Sequence, residues 1–300
     1  MASLIDPSPR QLGSLGDVGA LAYGQWRYVT DDIGEAQELL EAALDAGMNL
    51  VDSADVYGLD WGGEGFGAAE ALLGRVLEGA PELRQRMVLA TKGGIAPPTP
   101  YDSSPAALRA ACEASLQRLH VDVIDLYQVH RPDMLTHPAD VAATLSALRD
   151  EGKIREVGVS NHNPAQVAAL TAHLPFPLLT NQPEYSAVHL DPLHDGTFDA
   201  CMREGVVPLV WSPLAGGRLA TGDDVRPELL TLLEALADRE GVDRATVALA
   251  FALAHPARPV AIIGTQRAER IRSSLAALDV QLDRADVYSI IQASEGVSLP

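Results

Sequence analysis

The sequence predicts an α/β fold in which all 300 residues form a single (β/α)8 barrel. Short apolar runs with strand character alternate with amphipathic helical stretches from end to end. Eight such pairs fit into about 260 residues, with no linker or low-complexity insert between them. Strands that are apolar on both faces and separated by helices make a parallel sheet, and eight at this spacing close into a barrel. A doubly wound open sheet is the alternative. It would carry a G-x-G-x-x-G turn after its first strand, where this chain has "AYGQWRY".

In chain order, residues 1–17 read as a flexible or hairpin segment ahead of the barrel. The first strand is "VGALAYG" (18–24). Helix "GEAQELLEAALDAG" (34–47) follows, with Leu39, Leu40, Ala43 and Leu44 at the helical period and Gly47 as a natural C-cap. Next come strand "NLVDSA", helix "AEALLGRVLEG", strand "MVLATKG" (87–93) and helix "PAALRAACEASLQRLH". Strand "VIDLYQVH" (123–130), helix "PADVAATLSALRDEG", strand "IREVGVSN" (154–161) and helix "PAQVAALTAHL" continue the alternation. The remaining strands are "LLTNQPEYS" (178–186), "VVPLVWSPL" (206–214) and "PVAIIGT" (259–265), with helices "PELLTLLEALADREG" and "RATVALAFALAHP" between the last two. Helix "DRADVYSIIQAS" closes the chain.

A 47% hydrophobic content supplies a large core. No run of eighteen apolar residues exists to form a membrane helix, and "MASLIDPSPRQLG" lacks the basic start and apolar core of a secretory signal. Cys112 and Cys201, on two different helices, suit free thiols in a reducing cytoplasm. A net charge of −19 opposes nucleic acid or anionic membrane as a partner. Only Lys92 and Lys153 are lysines, so a lysine inside an apolar strand is conspicuous.

Barrel active sites lie at the C-terminal ends of the strands. The second strand delivers Asp52, with Tyr57 in its loop. Lys92 ends the third, His130 the fourth, and Ser160 and Asn161 the fifth. Asn181 and Gln182 come from the sixth, Trp211 and Ser212 from the seventh. Polar side chains ending six strands with apolar interiors make a site. No Cys, Asp and His cluster stands at ligand spacing, so a metal site is weakly supported. A hydrolase triad from Ser160, His130 and Asp52 lacks the G-x-S-x-G elbow. Tyr, Lys, Asp and His together suit another task. A lysine ammonium favours a nearby phenolate and pulls down a tyrosine pKa that is ordinarily near 10. A carboxylate holds the lysine charged, and a neutral imidazole orients a carbonyl oxygen. Such a set delivers a proton to an oxygen as it becomes an alkoxide.

With "DSADVYG", "ATKGG", "DLYQVHRPD", "VGVSN", "NQPEYS", "WSPLAGGRLATG" and "IIGTQRAERI", the chain resembles the aldo-keto reductases along nearly its whole length. These are NADPH-dependent carbonyl reductases built on the (β/α)8 barrel. "HRPD" and "IIGTQRAERIRSSL" are similar to a bacterial oxidoreductase subgroup. The resemblance implies a metal-free cytoplasmic reductase of an aldehyde or ketone. It makes Tyr57 the proton donor, Lys92 its pKa tuner, Asp52 the lysine's partner and His130 the carbonyl orienter. It places Ser160, Asn161 and Gln182 on the nicotinamide carboxamide and Trp211 against the nicotinamide ring. Ser212, Leu214, Gly216 and Arg218 fall in the pyrophosphate loop. Arg267 and Arg270 grip the 2′-phosphate, among Gly264, Thr265 and Ser274. Gly264, Ser273 and Ser274 depart from commoner family residues, which weakens the choice of NADPH over NADH.

Trp26 lines the substrate pocket or covers the rim. Trp61, in "GLDWGGEGFG", belongs to a lid over residues 58–68 or to a tolerated insertion. His137, His162 and His189 read as solvated loop residues. The alternative function is a non-catalytic or weakly catalytic NADPH-binding barrel acting as a sensor or regulatory subunit.

Overall fold

Parallel strands close on themselves in this computed structural model, which describes residues 3–60 and 62–299. A short hairpin comes first: β1 (Arg10–Gln11) pairs antiparallel with β2 (Asp17–Val18). Eight strands then form the barrel: β3 (Leu21–Gly24), β4 (Leu50–Asp52), β5 (Val88–Gly93), β6 (Ile124–Val129), β7 (Ile154–Ser160), β8 (Thr180–Gln182), β9 (Val207–Val210) and β10 (Val260–Ile263). Each pairs with its sequence neighbour, and β10 pairs with β3 to complete the closure. The (β/α)8 fold is therefore as the alternation predicts.

The outer helices are α1 (Ile33–Asp45), α2 (Ala68–Gly79), α3 (Pro105–Leu119), α4 (Pro138–Asp150), α5 (Pro164–Thr171), α6 (Asp191–His194), α7 (Thr197–Glu204), α8 (Arg218–Thr221), α9 (Pro227–Glu240), α10 (Arg244–Leu253), α11 (Ala268–Ser273) and α12 (Arg284–Glu295). Their starts are written in the sequence. Asp32, Ser104, Asn163, Asp243 and Asp283 each accept a backbone N–H of the first turn, which satisfies a donor that the helix itself cannot.

Strand side chains alternate between two cores. Tyr23, Val51, Leu89, Tyr127, Val157 and Val210 belong to the core shared with the helices. Ala22, Leu50, Ala90, Leu126 and Leu209 belong to a second core inside the barrel, with Leu12 and Val18 from the hairpin. The hairpin thus plugs the N-terminal end. Two residues further along the same inward row, leucine and alanine give way to Asp52, Lys92 and Gln128. That change of polarity marks the end where a site forms.

The first barrel strand begins later than the apolar run 18–24 predicts. Val18 belongs to the hairpin. At Gly19 the backbone passes so close to its neighbour that an added Cβ would lie 2.3 Å from the Gly47 carbonyl oxygen. Only a residue without a side chain fits there. Among the described residues no helix is long and apolar enough to cross a membrane, and no group of three His, Cys, Asp or Glu stands ready to hold a metal ion.

Candidate active site

Asp52 ends β4 and Lys92 is the penultimate residue of β5. Both are inaccessible, at 1% and 0% exposure. A charge so placed needs every hydrogen bond it can make. The Lys92 ammonium has three donors and uses them all. Nζ donates to Asp52 Oδ2 at 2.7 Å, to the Ser53 carbonyl at 2.7 Å and to Tyr57 Oη at 3.0 Å. The Tyr57 backbone N–H closes a turn on the Ala54 carbonyl, and its own carbonyl accepts from Ala69 at the head of α2. The phenol is thus carried on a short loop pinned at both ends.

The charges follow from these contacts. Burial alone would push the Lys92 pKa down, but the Asp52 carboxylate and the Tyr57 oxygen outweigh it and hold it above its ordinary value. Lys92 stays an ammonium. Burial raises the Tyr57 pKa. The Lys92 charge opposes that shift, as the sequence leads one to expect, without reversing it. The phenol therefore keeps its proton at neutral pH. Because Lys92 donates into the phenol oxygen, the phenol's own O–H remains free to donate elsewhere.

His130 follows β6 and is 7% exposed. Its ring meets that of Tyr57 edge-on, with centroids 6.0 Å apart. Burial, reinforced by the Lys92 and Arg131 charges, holds the imidazole pKa well below its usual value. It is neutral at neutral pH. Nδ1 is buried without a hydrogen-bond partner, which leaves Nε2 as the nitrogen able to meet a ligand.

A polar chain runs from this cluster around the rim. Gln182 Nε2 donates to Asp52 Oδ1 at 2.9 Å. The Ser160 hydroxyl donates to the Gln182 carbonyl at 2.9 Å, and Asn161 Nδ2 donates to Ser160 Oγ at 2.8 Å. Trp211 Nε1 donates to Asn161 Oδ1 at 3.0 Å. The Arg131 guanidinium sits 5.8 Å from the Trp211 ring centre. Asp52, Tyr57, Lys92, His130, Ser160, Asn161, Gln182 and Trp211 are thereby assembled at one mouth.

Past β9 the backbone is unusual. Ser212, Ala215, Gly216 and Gly217 all have positive φ, at 55°, 51°, 70° and 107°. Ser212 Oγ accepts from the Gly216 N–H at 2.9 Å, which fixes the turn at Leu214. A Cβ added at Gly216 or Gly217 would meet nothing within 4 Å, so the loop presents bare backbone. Arg218 braces that loop by donating to the Ala215 and Asp224 carbonyls. Gly264 and Thr265 follow β10, and Arg267 is the N-cap residue of α11. Arg267 and Arg270 are exposed. Among the described residues neither has an ion-pair partner, Glu269 included. The Ser274 hydroxyl donates to the Arg270 carbonyl at 2.7 Å. Among the described residues no hydrogen bond joins this edge to the Tyr57 cluster.

Trp26 is 38% exposed, with the Arg27 guanidinium 5.9 Å from its ring centre. Trp61 lies outside the described residues. His162 is not solvated as its loop position suggests. It is 8% exposed, and its Nδ1 lies 2.9 Å from the Ser160 carbonyl. The left-handed Asn161 before it, at φ 58°, turns the chain inward.

Two residues inside the quoted motifs take part without a role assigned from the sequence. Gln128 Nε2 donates to Asp52 Oδ1 at 3.2 Å; its signal was its place two residues before His130, on the inward row. Asp55 is buried at 1% exposure with neither carboxyl oxygen hydrogen-bonded. Burial and the nearby Glu70 push its pKa well above the usual range. Glu70 itself pairs with Arg118 at 2.6 Å and accepts from Thr91 Oγ1.

The aldo/keto reductase family model matches residues 18–295. A 6-dehydroglucose reductase of Novosphingobium aromaticivorans is 48% identical over 300 residues, covering 99% of this chain and 98% of that one. A 6-dehydroglucose reductase of Agrobacterium fabrum is 34% identical over 293 residues, covering 93% and 95%. Among solved structures, a thermostable aldo-keto reductase in complex with the inhibitor epalrestat matches with a TM-score of 0.81 at 25% identity, covering 95% of this chain and 99% of its own.

The buried His162 sets a pH dependence. Burial lowers its pKa from 6.5 to about 4. Between those values the unfolded chain binds more protons than the folded one, so stability falls as pH drops through that window. The full shift corresponds to about 3 kcal/mol. Urea unfolding of His162→Gln at pH 7 and pH 4.5 should show a shallower acid loss than the wild type. Identical losses would show that His162 protonates freely in the folded state.

Proposed function

The chain belongs to the aldo/keto reductase family and is an oxidoreductase, and on that premise we propose that it is a cytoplasmic, NADPH-dependent reductase of aldehyde or ketone carbonyls with Tyr57 as proton donor. The observation that carries this reading is the buried Lys92 ammonium, shared among Asp52, the Ser53 carbonyl and Tyr57 Oη. When bound, NADPH supplies the hydride that the carbonyl carbon accepts. Tyr57 Oη gives its proton to the carbonyl oxygen. The Lys92 N–H already directed at Oη stabilises the phenolate left behind. Asp52 keeps Lys92 protonated through that change. Neutral His130 donates from Nε2 to the carbonyl oxygen and orients it. Tyr57 is partly exposed, which gives water a route to return the proton.

The residues of the second half fit a dinucleotide. Ser160 and Asn161 would hold the nicotinamide carboxamide, with Gln182 Oε1 beside them, since Gln182 commits its Nε2 to Asp52. Trp211 would stack on the ring. The bare backbone of residues 212–217 suits a pyrophosphate, which approaches closest where no Cβ intervenes. Among the described residues Arg267 and Arg270 have no carboxylate partner, so their guanidinium forks are available to the 2′-phosphate. The 48% identity to a 6-dehydroglucose reductase supports an oxidised sugar such as 6-dehydroglucose as the substrate. The sensor alternative gains no support from relatives that carry reductase names along their whole length.

Tyr57→Phe keeps the ring and removes the acid. Turnover of 6-dehydroglucose or 4-nitrobenzaldehyde, followed by NADPH absorbance, should fall by roughly 10²-fold or more, with NADPH affinity nearly unchanged. Near-normal turnover would remove Tyr57 from the mechanism. Arg270→Ala should weaken NADPH by about 1.5–3 kcal/mol, the scale of a hydrogen bond to a charged group, and leave NADH almost untouched. Equal loss for both cofactors in a fluorescence titration would assign Arg270 to the fold or the adenine instead.

A further inference from the structure

Lys92 occupies one oxygen of Asp52, and the second oxygen has its own arrangement. Oδ1 accepts from two carboxamides, Gln182 at 2.9 Å and Gln128 at 3.2 Å. Gln128 is completely buried. Its other end is also fixed, because the Thr180 hydroxyl donates to Gln128 Oε1 at 3.2 Å. A carboxamide flipped end for end would set its oxygen against the Asp52 carboxylate, so the two contacts select one orientation. The space for this depends on Gly158. A Cβ there would lie 2.1 Å from Thr180 Oγ1 and 3.0 Å from Gln128 Cγ. Gly158 is the register partner of both residues on the neighbouring strands. The charged groups facing Gln128 are Asp52 and, one strand away in register, Lys92.

We propose that Gln128 is a positioning residue of this reductase: its carboxamide, aimed by Thr180 through the gap left by Gly158, holds the Asp52 side chain turned toward Lys92. The inference rests on the reading of Asp52, Lys92 and Tyr57 as the proton-delivering set. Gln128 touches neither Lys92 nor Tyr57 by a hydrogen bond and acts through Asp52 alone. Donors on Oδ1 restrain the rotation of the carboxylate, so that Oδ2 stays directed at Lys92 Nζ. That restraint keeps the Lys92 ammonium on Tyr57 Oη.

The test compares two variants across pH. Gln128→Met keeps the length and deletes the donor. Its turnover should fall about tenfold at every pH, the scale of one hydrogen bond to a charged group, with NADPH affinity unchanged. Gln128→Glu behaves differently. Protonated, the glutamic acid donates to Asp52 as the amide does. Ionised, it opposes the Asp52 carboxylate, and that repulsion raises its own pKa. Turnover should therefore approach the wild type at the acid end of the working range and drop to the level of Gln128→Met as pH rises. Thr180→Val, which leaves Asp52 untouched but frees the carboxamide, should lose turnover several-fold and serves if the methionine variant folds poorly. Wild-type turnover in both Gln128 variants, or equal losses with one shared pH profile, overturns the inference. If Tyr57→Phe is silent while the Gln128 variants match the wild type, this inference alone falls. A wild-type protein that oxidises no NADPH with any aldehyde overturns both this and the reading it rests on.

Discussion

A fully buried ammonium organises the mouth of this barrel. Lys92 has no solvent to hydrate it, so its three N–H groups must find protein oxygens, and the structure supplies them from the end of β4 and the loop after it. That requirement fixes where β4 stops, since Asp52 must arrive beside β5 on the inward row. It fixes the loop, since both the Ser53 carbonyl and Tyr57 must curl back to the same point. It also fixes what lies behind Asp52. A buried carboxylate that offers one oxygen to lysine leaves the other in need of donors, and the amides of Gln128 and Gln182 meet that need.

Around this pair, burial drives the other ionisable groups toward neutrality. Tyr57 holds its proton more tightly than a free phenol, His130 stays uncharged, and Asp55 is pushed toward the acid form. Lys92 is the exception because a carboxylate touches it. One buried ion pair beside a neutral phenol and a neutral imidazole is a suitable ground state for giving up a single proton. On the proposed reading, the resulting phenolate would lie against a cation already in place, with little reorganisation.

Much of this was legible in the sequence, for physical reasons. Short apolar runs separated by helical patterning carried the barrel, because both faces of each strand are buried and each crossover is a helix. Asp52, Lys92 and His130 stood out as polar residues ending apolar strands. Other features depend on contacts that no local pattern encodes. The first barrel strand starts after Gly19, where the backbone passes close to Gly47, distant in sequence. His162 is buried next to a left-handed Asn161, a backbone choice that the residue types alone leave open. Gln128 looked like one more residue of a strand until Thr180 and Asp52, from two other strands, closed on its two ends. The direction of the Tyr57 shift required weighing burial against the Lys92 charge, and only the structure sets the burial.

The central claim is that the Lys92 charge makes Tyr57 a usable acid, and Lys92→Met tests it most directly. Turnover with 4-nitrobenzaldehyde, measured by NADPH absorbance from acid to alkaline pH, should fall by about 10²-fold or more, and the remaining activity should follow a pH profile unlike that of the wild type. Turnover close to normal with an unchanged profile would show that Tyr57 acts without the ammonium beside it, and the account would be wrong at its centre.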